Sequence, residues 1–129
     1  DLLIMAAAVG DFRASEIAGE KIKKDTNRKF NLSLMPNDDW MVDVVGDKLV
    51  KIAFAAETTN LIENATKKLF SKNASLVIAN DVSETGSGFG SDTNRVTIIH
   101  RNGDIQELPN MEKFNVANAV LDQALKHLK

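Results

Sequence analysis

Cysteine is absent from this 129-residue chain, which excludes thiol catalysis, disulfide bonds and cysteine-ligated metals. The absence fits a reducing compartment. Histidine is scarce: His100 and His127 are the only two, far apart in sequence and without metal-ligand spacing. No Ser/His/Asp triad or carboxylate pair stands out. No apolar run is long enough to span a bilayer, no signal peptide is read at the start, and a cytoplasmic location is expected. A basic excess is missing too, since the formal net charge is −2. Binding to nucleic acid or to an anionic membrane is therefore not expected, because both demand a clear positive field. Any anion site must come from locally placed lysines. Neither GxxxxGKS/T nor GxGxxG occurs, so the two common phosphate cradles are excluded. The glycine-rich stretch Gly86–Gly90 does not lead from a strand into a helix.

Apolar residues make up 43% of the chain, enough for the core of one domain. Leu2–Ala8 is a continuous apolar run, read as a strand covered on both faces. Val9–Gly19 reads as loop. Glu20–Lys24 and Phe30–Met35 are expected to pair across the polar turn Lys24–Arg28. Asp38–Val45 reads as a short helix capped by Asn37. Lys51–Ala56 is a second buried strand. Thr59 or Asn60 then caps a helix to about Lys72, with Leu61, Ile62, Ala65 and Leu69 as its apolar stripe. Ala74–Ala79 is a third strand, and Asn80–Thr93 is a long polar loop. Arg95–His100 and Ile105–Leu108 flank Asn102-Gly103, a strong hairpin signal. Lys113–Leu128 closes the chain as a helix. This order predicts an α/β fold: a Rossmann-like three-layer sandwich, its sheet mostly parallel with an antiparallel edge hairpin. A chain that opens directly on a buried strand is expected to be a fragment of a larger domain.

Open parallel sheets bind ligands beyond the carboxyl ends of their strands. Three polar segments follow strand ends here: Val9–Arg13, Glu57–Asn60 and Asn80–Ser83. Asp11, in the first, suits a metal–phosphate or a ribose hydroxyl, although a turn cap is the commoner use of such a residue. Lys21 and Lys23 share one face of an extended segment, which favours an anion between them or a lysine-protected strand edge. Lys68 and Lys72 stand one helical turn apart at the border of the apolar stripe. They suit a polyphosphate, or snorkel with their stems on the core. Lys67 has Glu63 one turn earlier as a partner. Phe54 is a core residue by position, with base stacking as the alternative. Trp40, the lone tryptophan, reads as a packing or interface residue.

Taken together these segments resemble one family. Ala6-Ala7-Ala8-Val9-Gly10-Asp11-Phe12-Arg13 resembles its Ala-rich strand followed by Asp-aromatic-Arg. Glu20-Lys21-Ile22-Lys23-Lys24 is similar to its Lys-x-Lys-Lys flap, and Phe54-Ala55-Ala56-Glu57-Thr58 to its Phe-Ala-Ala-Glu-Thr strand end. Lys68-Leu69 with Lys72, Ala79–Ser83, and Gly88-Phe89 with Ser91-Asp92 and Asn94 follow in the family's order. The family is phosphopantothenate–cysteine ligase, in bacteria usually the C-terminal domain of the bifunctional flavoprotein Dfp. The resemblance covers nearly the whole chain, residues 1–129 standing as the C-terminal part of the ligase domain.

That resemblance implies a two-step reaction. The carboxylate of 4′-phosphopantothenate attacks the α-phosphate of CTP, releasing pyrophosphate and forming an acyl-cytidylate. The amine of cysteine then displaces CMP and forms the amide. It implies that Ala7, Ala8 and Asp11 line the nucleotide site, with Asp11 near Mg²⁺ carried by the CTP phosphates. It places Lys21 on a mobile flap as the catalytic lysine of the second step, and Phe54, Lys68 and Lys72 against CTP. Base recognition falls to Asp39 with its neighbours Asp38, Trp40 and Met41. The family pattern Asn-Pro-Asp-Ile is here Asn37-Asp38-Asp39-Trp40, with Asp38 where the family has proline. The family's N-terminal glycine-rich segment and its Ser-Gly-Pro-Thr region have no counterpart, so the fragment is expected to be inactive alone. FMN is implied only if a decarboxylase domain is fused upstream. The resemblance also implies a homodimer, with the Lys21–Met35 hairpin and Trp40 contributing to its interface. Two alternatives stand beside this reading: an ATP-using ligase of the same family, and a non-catalytic nucleotide-binding or dimerisation module.

Overall fold

The structure is a computed structural model, and it describes residues 1–24, 29–83 and 90–128. They fall into two compact units, Asp1–Ala6 with Met41–Lys129, and Ala7–Trp40. The elements in chain order are β1 (Leu2–Met5), β2 (Phe12–Ala14), β3 (Leu34–Pro36), α1 (Trp40–Asp43), β4 (Val50–Glu57), α2 (Leu61–Ser71), β5 (Leu76–Asp81), β6 (Thr93–Asn94), β7 (Val96–His100), β8 (Ile105–Glu107), β9 (Met111–Glu112) and α3 (Lys113–His127).

The larger unit is built on a five-stranded sheet in the order β1-β4-β5-β7-β8. β1, β4 and β5 are parallel, while β7 and β8 run antiparallel, as expected from the sequence. Successive side chains of a strand point to opposite faces, and the inner strands β4, β5 and β7 bury both. Val50, Ile52, Leu76, Ile78, Val96 and Ile98 pack with Val116, Val120 and Ala124 of α3. Ala53, Ala55, Val77, Ala79 and Ile99 pack on the other face with Ala65 and Leu69 of α2. The result is the three-layer sandwich, and burial on both faces is why these strands read as unbroken apolar runs.

Helix α2 ends in a well-formed stop. Asn73 adopts φ 48°, and the Asn73 and Ala74 amides bond the Phe70 and Leu69 carbonyls at 3.1 and 2.9 Å. This paired arrangement satisfies carbonyls the helix leaves orphaned and turns the chain directly into β5. The expected start differs. Asn60 is the N-cap but takes φ 49° and makes no side-chain capping bond. The β7–β8 hairpin forms where Asn102-Gly103 signalled it. Gly103 has φ +96°, a region costly for other residues.

Four sequence expectations are corrected. β1 is not covered on both faces: Leu3 and Met5 pack on the α2-side core, but Leu2 and Ile4 keep 37% and 39% of their surface. β1 is an edge strand bonded only to β4, and α3 covers the strands further in. The antiparallel arms of the smaller unit are Phe12–Ala14 and Leu34–Pro36, rather than Glu20–Lys24 and Phe30–Met35. Most of the turn expected between those two segments, residues 25–28, lies outside the described residues. The helix expected over Asp38–Val45 forms only over Trp40–Asp43, and the Asn37 side-chain oxygen that a cap would use accepts from Arg13 at 3.2 Å instead. Within the expected loop Asn80–Thr93, Thr93 begins β6, which pairs with β9.

Candidate functional site

In the unit 7–40, two of the recognisable motifs prove to be partners. The Asn37 amide donates to the Asp11 carbonyl at 2.8 Å, and its side-chain amide to Gly10. The Arg13 guanidinium donates to the Pro36 carbonyl at 2.8 Å and to Asn37 Oδ1 at 3.2 Å. Asp38 lies 3.9 Å from the same guanidinium and is almost fully exposed, a pairing of little energetic weight. Ser15 closes the ladder, its amide and hydroxyl both donating to the Ser33 carbonyl. The segment carrying Asp11 is thus stitched to the segment carrying Asp38 and Asp39. Ala7, Ala8, Asp11 and Lys21 are exposed. The Lys21 ammonium has no hydrogen bond or ion pair among the described residues. Arg13 and Asn37 are the pieces that sequence reading missed as site supports; Arg13 was visible only as the last letter of its motif.

In the larger unit, the carboxyl end of β4 is tied to the start of α2. Asn64 Nδ2 donates to Glu57 Oε2 at 3.1 Å and to the Thr59 carbonyl at 3.0 Å. The Val82 amide bonds the Glu57 carbonyl. Asp81 accepts from the Ser83 hydroxyl and amide, which hold its carboxyl below the ordinary range. Because β4 and β5 are parallel, α2 must run back against them. Lys68 therefore lies about 10 Å along the helix from Leu61, at ~1.5 Å per residue, in the last turn. Lys72 is the C-cap. Both are half-buried, and they sit at the amino-terminal side of the sheet rather than beside Glu57–Asn60. Lys67 is taken by Glu63 at 2.7 Å, as its spacing indicated, and the ion pair holds the Glu63 carboxyl below its usual value. Lys68 has no such partner among the described residues.

Phe54 packs against the α3-side core, so the structure places it on the face of the sheet opposite the lysine pair. Met41 goes with the lysines instead. Its side chain is 3% exposed and shares the α2-side core with Ala53 and Leu69, the residue next to Lys68. The Met41 carbonyl is held by Lys51. This lysine is also 3% exposed, and its Nζ donates to the carbonyls of Met41 and Val44, both at 2.9 Å. Burying an ammonium is costly unless its protons are satisfied, and bonds to a charged donor contribute about 1.5–3 kcal/mol each. Sequence reading counted Lys51 only as the start of a buried strand. The sequence shows only that a charged residue stands between Val50 and Ile52 in an apolar run, not what it bonds.

Among the described residues, no group of three His, Asp or Glu side chains is arranged to hold a metal. A magnesium ion arriving on a nucleotide does not need one, since it keeps phosphate oxygens and water as most of its ligands. The single exposed carboxylate of Asp11 fits that donor set. The glycine-rich segment of residues 86–90 lies almost wholly outside the described residues. No helix of the described residues is long and apolar enough to cross a membrane.

An open, mostly parallel sheet with helices on both faces defines a Rossmann-like α/β protein. Residues 1–128 match the DNA/pantothenate metabolism flavoprotein C-terminal domain, and the chain belongs to that family. It is 39% identical over 126 residues to the coenzyme A biosynthesis bifunctional protein CoaBC of Bacillus subtilis strain 168, covering 95% of this chain and 30% of the relative. To the CoaBC of Escherichia coli K12 it is 36% identical over 128 residues, covering 95% and 31%. The crystal structure of the C-terminal domain of a CoaBC superimposes with a TM-score of 0.71 at 34% identity, over 95% of this chain and 52% of that one. A Streptococcus pneumoniae flavoprotein of the same name as the family gives a TM-score of 0.74 at 19% identity, over 98% and 63%, a likeness of fold alone. The chain thus spans about a third of the length of the curated relatives it matches.

Proposed function

We propose that this chain is the C-terminal part of a phosphopantothenate–cysteine ligase domain and carries much of its CTP site. The observation that carries the reading is the family match over residues 1–128, joined to a half-buried Lys68 that has no partner among the described residues and shares a helix face with Lys72. In the reaction, the 4′-phosphopantothenate carboxylate forms a bond to the CTP α-phosphorus as the bond to pyrophosphate breaks. The cysteine nitrogen then bonds the acyl carbon, CMP leaves, and the amine proton is lost. Attack on a triphosphate builds negative charge that fixed cations neutralise without reorganisation. Lys68 and Lys72 supply such cations from a rigid helix. Lys21, exposed in an irregular segment, suits a group that acts on the acyl-cytidylate after the flap moves. Asp11 would hold Mg²⁺ with the nucleotide phosphates. Asp38, Asp39, Trp40 and Met41 would meet the base and Ala7 and Ala8 would line the pocket, while Phe54, packed on the α3-side core, keeps the core role that its position in the strand suggests.

The same reading makes the working protein a cytoplasmic homodimer, with residues 21–35 and Trp40 at its interface and FMN confined to any fused decarboxylase domain. Sedimentation of a monomer at high concentration would count against the dimer. The decisive assay is pyrophosphate release by the intact protein, dependent on 4′-phosphopantothenate, with CTP and ATP compared. Release with CTP is expected. Release with ATP alone reassigns the nucleotide, and release with neither removes the ligase reading in favour of a binding module. The 129 residues alone are expected to bind nucleotide without joining phosphopantothenate to cysteine.

A further inference from the structure

We infer that Lys51 is a positioning residue for the nucleotide site, fixing the backbone of residues 41–44, where the ligase reading puts a nucleotide contact; this rests on that reading. Helix α1 has four residues, far fewer than an isolated helix needs to persist in water. Its order must therefore come from outside it. Two anchors are visible. The Met41 side chain is buried in the α2-side core beside Leu69, and the Lys51 ammonium donates to the carbonyls of Met41 and Val44. Carbonyls at the end of a helix lack intrahelical donors, and a cation there also meets the negative end of the peptide dipoles.

Lys51 reaches these atoms because β4 is pinned around it. Its amide bonds the Ser75 hydroxyl at 3.4 Å, and its carbonyl accepts the Ser75 amide at 2.7 Å. The residues that follow on the same face of β4, Ala53 and Ala55, are small and apolar. A methionine or leucine would satisfy packing at position 51 as well as they do at theirs. What a lysine adds is the pair of bonds to α1. A site whose binding-competent form is populated only a tenth of the time loses about tenfold in apparent affinity. That is the expected scale of the effect.

The test uses the whole 129-residue chain, with the single Trp40 in α1 as its fluorescent reporter. CTP with Mg²⁺ is titrated into the wild type, Lys51→Met and Lys51→Arg, and amide exchange is followed in parallel. Lys51→Met is expected to raise the CTP dissociation constant about tenfold. Exchange across residues 41–47 should speed up while β4 and β5 stay protected, and Lys51→Arg should recover part of the affinity. Faster exchange with unchanged CTP affinity overturns the inference, leaving Lys51 a purely structural contact. Unchanged exchange overturns it as well. A wild type whose Trp40 signal ignores CTP and ATP removes the nucleotide reading and the inference with it, and the exchange data still report whether the clamp exists. If Lys51→Met fails to fold, the wild-type Lys51 ammonium decides: a slowly exchanging nitrogen resonance that moves on adding CTP supports the clamp, and exchange as fast as that of exposed lysines overturns it.

Discussion

The two units are held together by different means. In the larger, Ile52, Leu76 and Ile78 are completely buried between α2 and α3, so apolar burial carries its stability. Among the described residues of 7–40, none is buried, and only Ala14 and Asn37 are even half-covered. That unit is ordered by hydrogen bonds through Arg13, Ser15 and Asn37. The proposed site residues divide along the same line. Lys68, Lys72 and Met41 stand on a rigid scaffold, while Asp11, Lys21, Asp38 and Asp39 belong to a hairpin with little core. Binding groups on a scaffold hold their geometry in advance. Groups on segments with little buried area open at low free-energy cost, which suits a flap.

Substitutions sharpen that contrast. Leu76→Ala should destabilise the larger unit by about 2–5 kcal/mol through lost burial and a residual cavity, read as a lower denaturant midpoint. Phe12→Ala in β2 should shift the same midpoint by less than ~0.5 kcal/mol, since exposed side chains contribute little. A large effect of Phe12→Ala would show that the hairpin has a core that the structure lacks. Next in size is Asn37→Ala, which deletes the bonds to Gly10 and Arg13. Amide exchange should accelerate within 7–40 by a factor of ten or so, a net bond being worth roughly 1 kcal/mol. The exchange of β4 and β5 should not change.

A smaller effect appears with pH. His100 Nδ1 lies 3.4 Å from His127 Nε2, joining the end of β7 to the end of α3. Burial first, then the charge of His127, hold the His100 imidazole below its ordinary value of 6.5. The unfolded chain then binds a proton at pH values where the folded chain resists it. This contribution to stability is complete above about 6.5 and is lost as the pH falls through the folded value. Melting temperature should therefore drop on acidification from pH 7, and His127→Asn should flatten that slope. Smallest of all, Glu63→Gln breaks only the exposed pair with Lys67, and the melting temperature should stay within experimental error.

The inner strands of the sheet were legible because both of their faces are buried. Uninterrupted runs such as Leu76-Val77-Ile78, the Asn102-Gly103 turn and the period of α2 each point to one local structure. The smaller unit was not, because its apolar residues alternate without a core to fill. Phe30, Leu32 and Leu34 alternate along the expected strand Phe30–Met35, yet all three are exposed, and Arg13 and Asn37 bond across more than twenty residues instead. The site was legible as a set of motifs. Its supports were not: neither the reach of Lys51 to Met41 nor the siting of Phe54 across the sheet from Lys68 has a local signature.

The central claim is that a nucleoside triphosphate binds where Lys68 and Lys72 line α2. A crystal structure of this chain soaked with CTP and Mg²⁺ tests it directly. The account predicts phosphate oxygens within hydrogen-bond reach of both ammonium groups and the cytosine near Met41. Density for CTP that leaves Lys68 and Lys72 in solvent would contradict it.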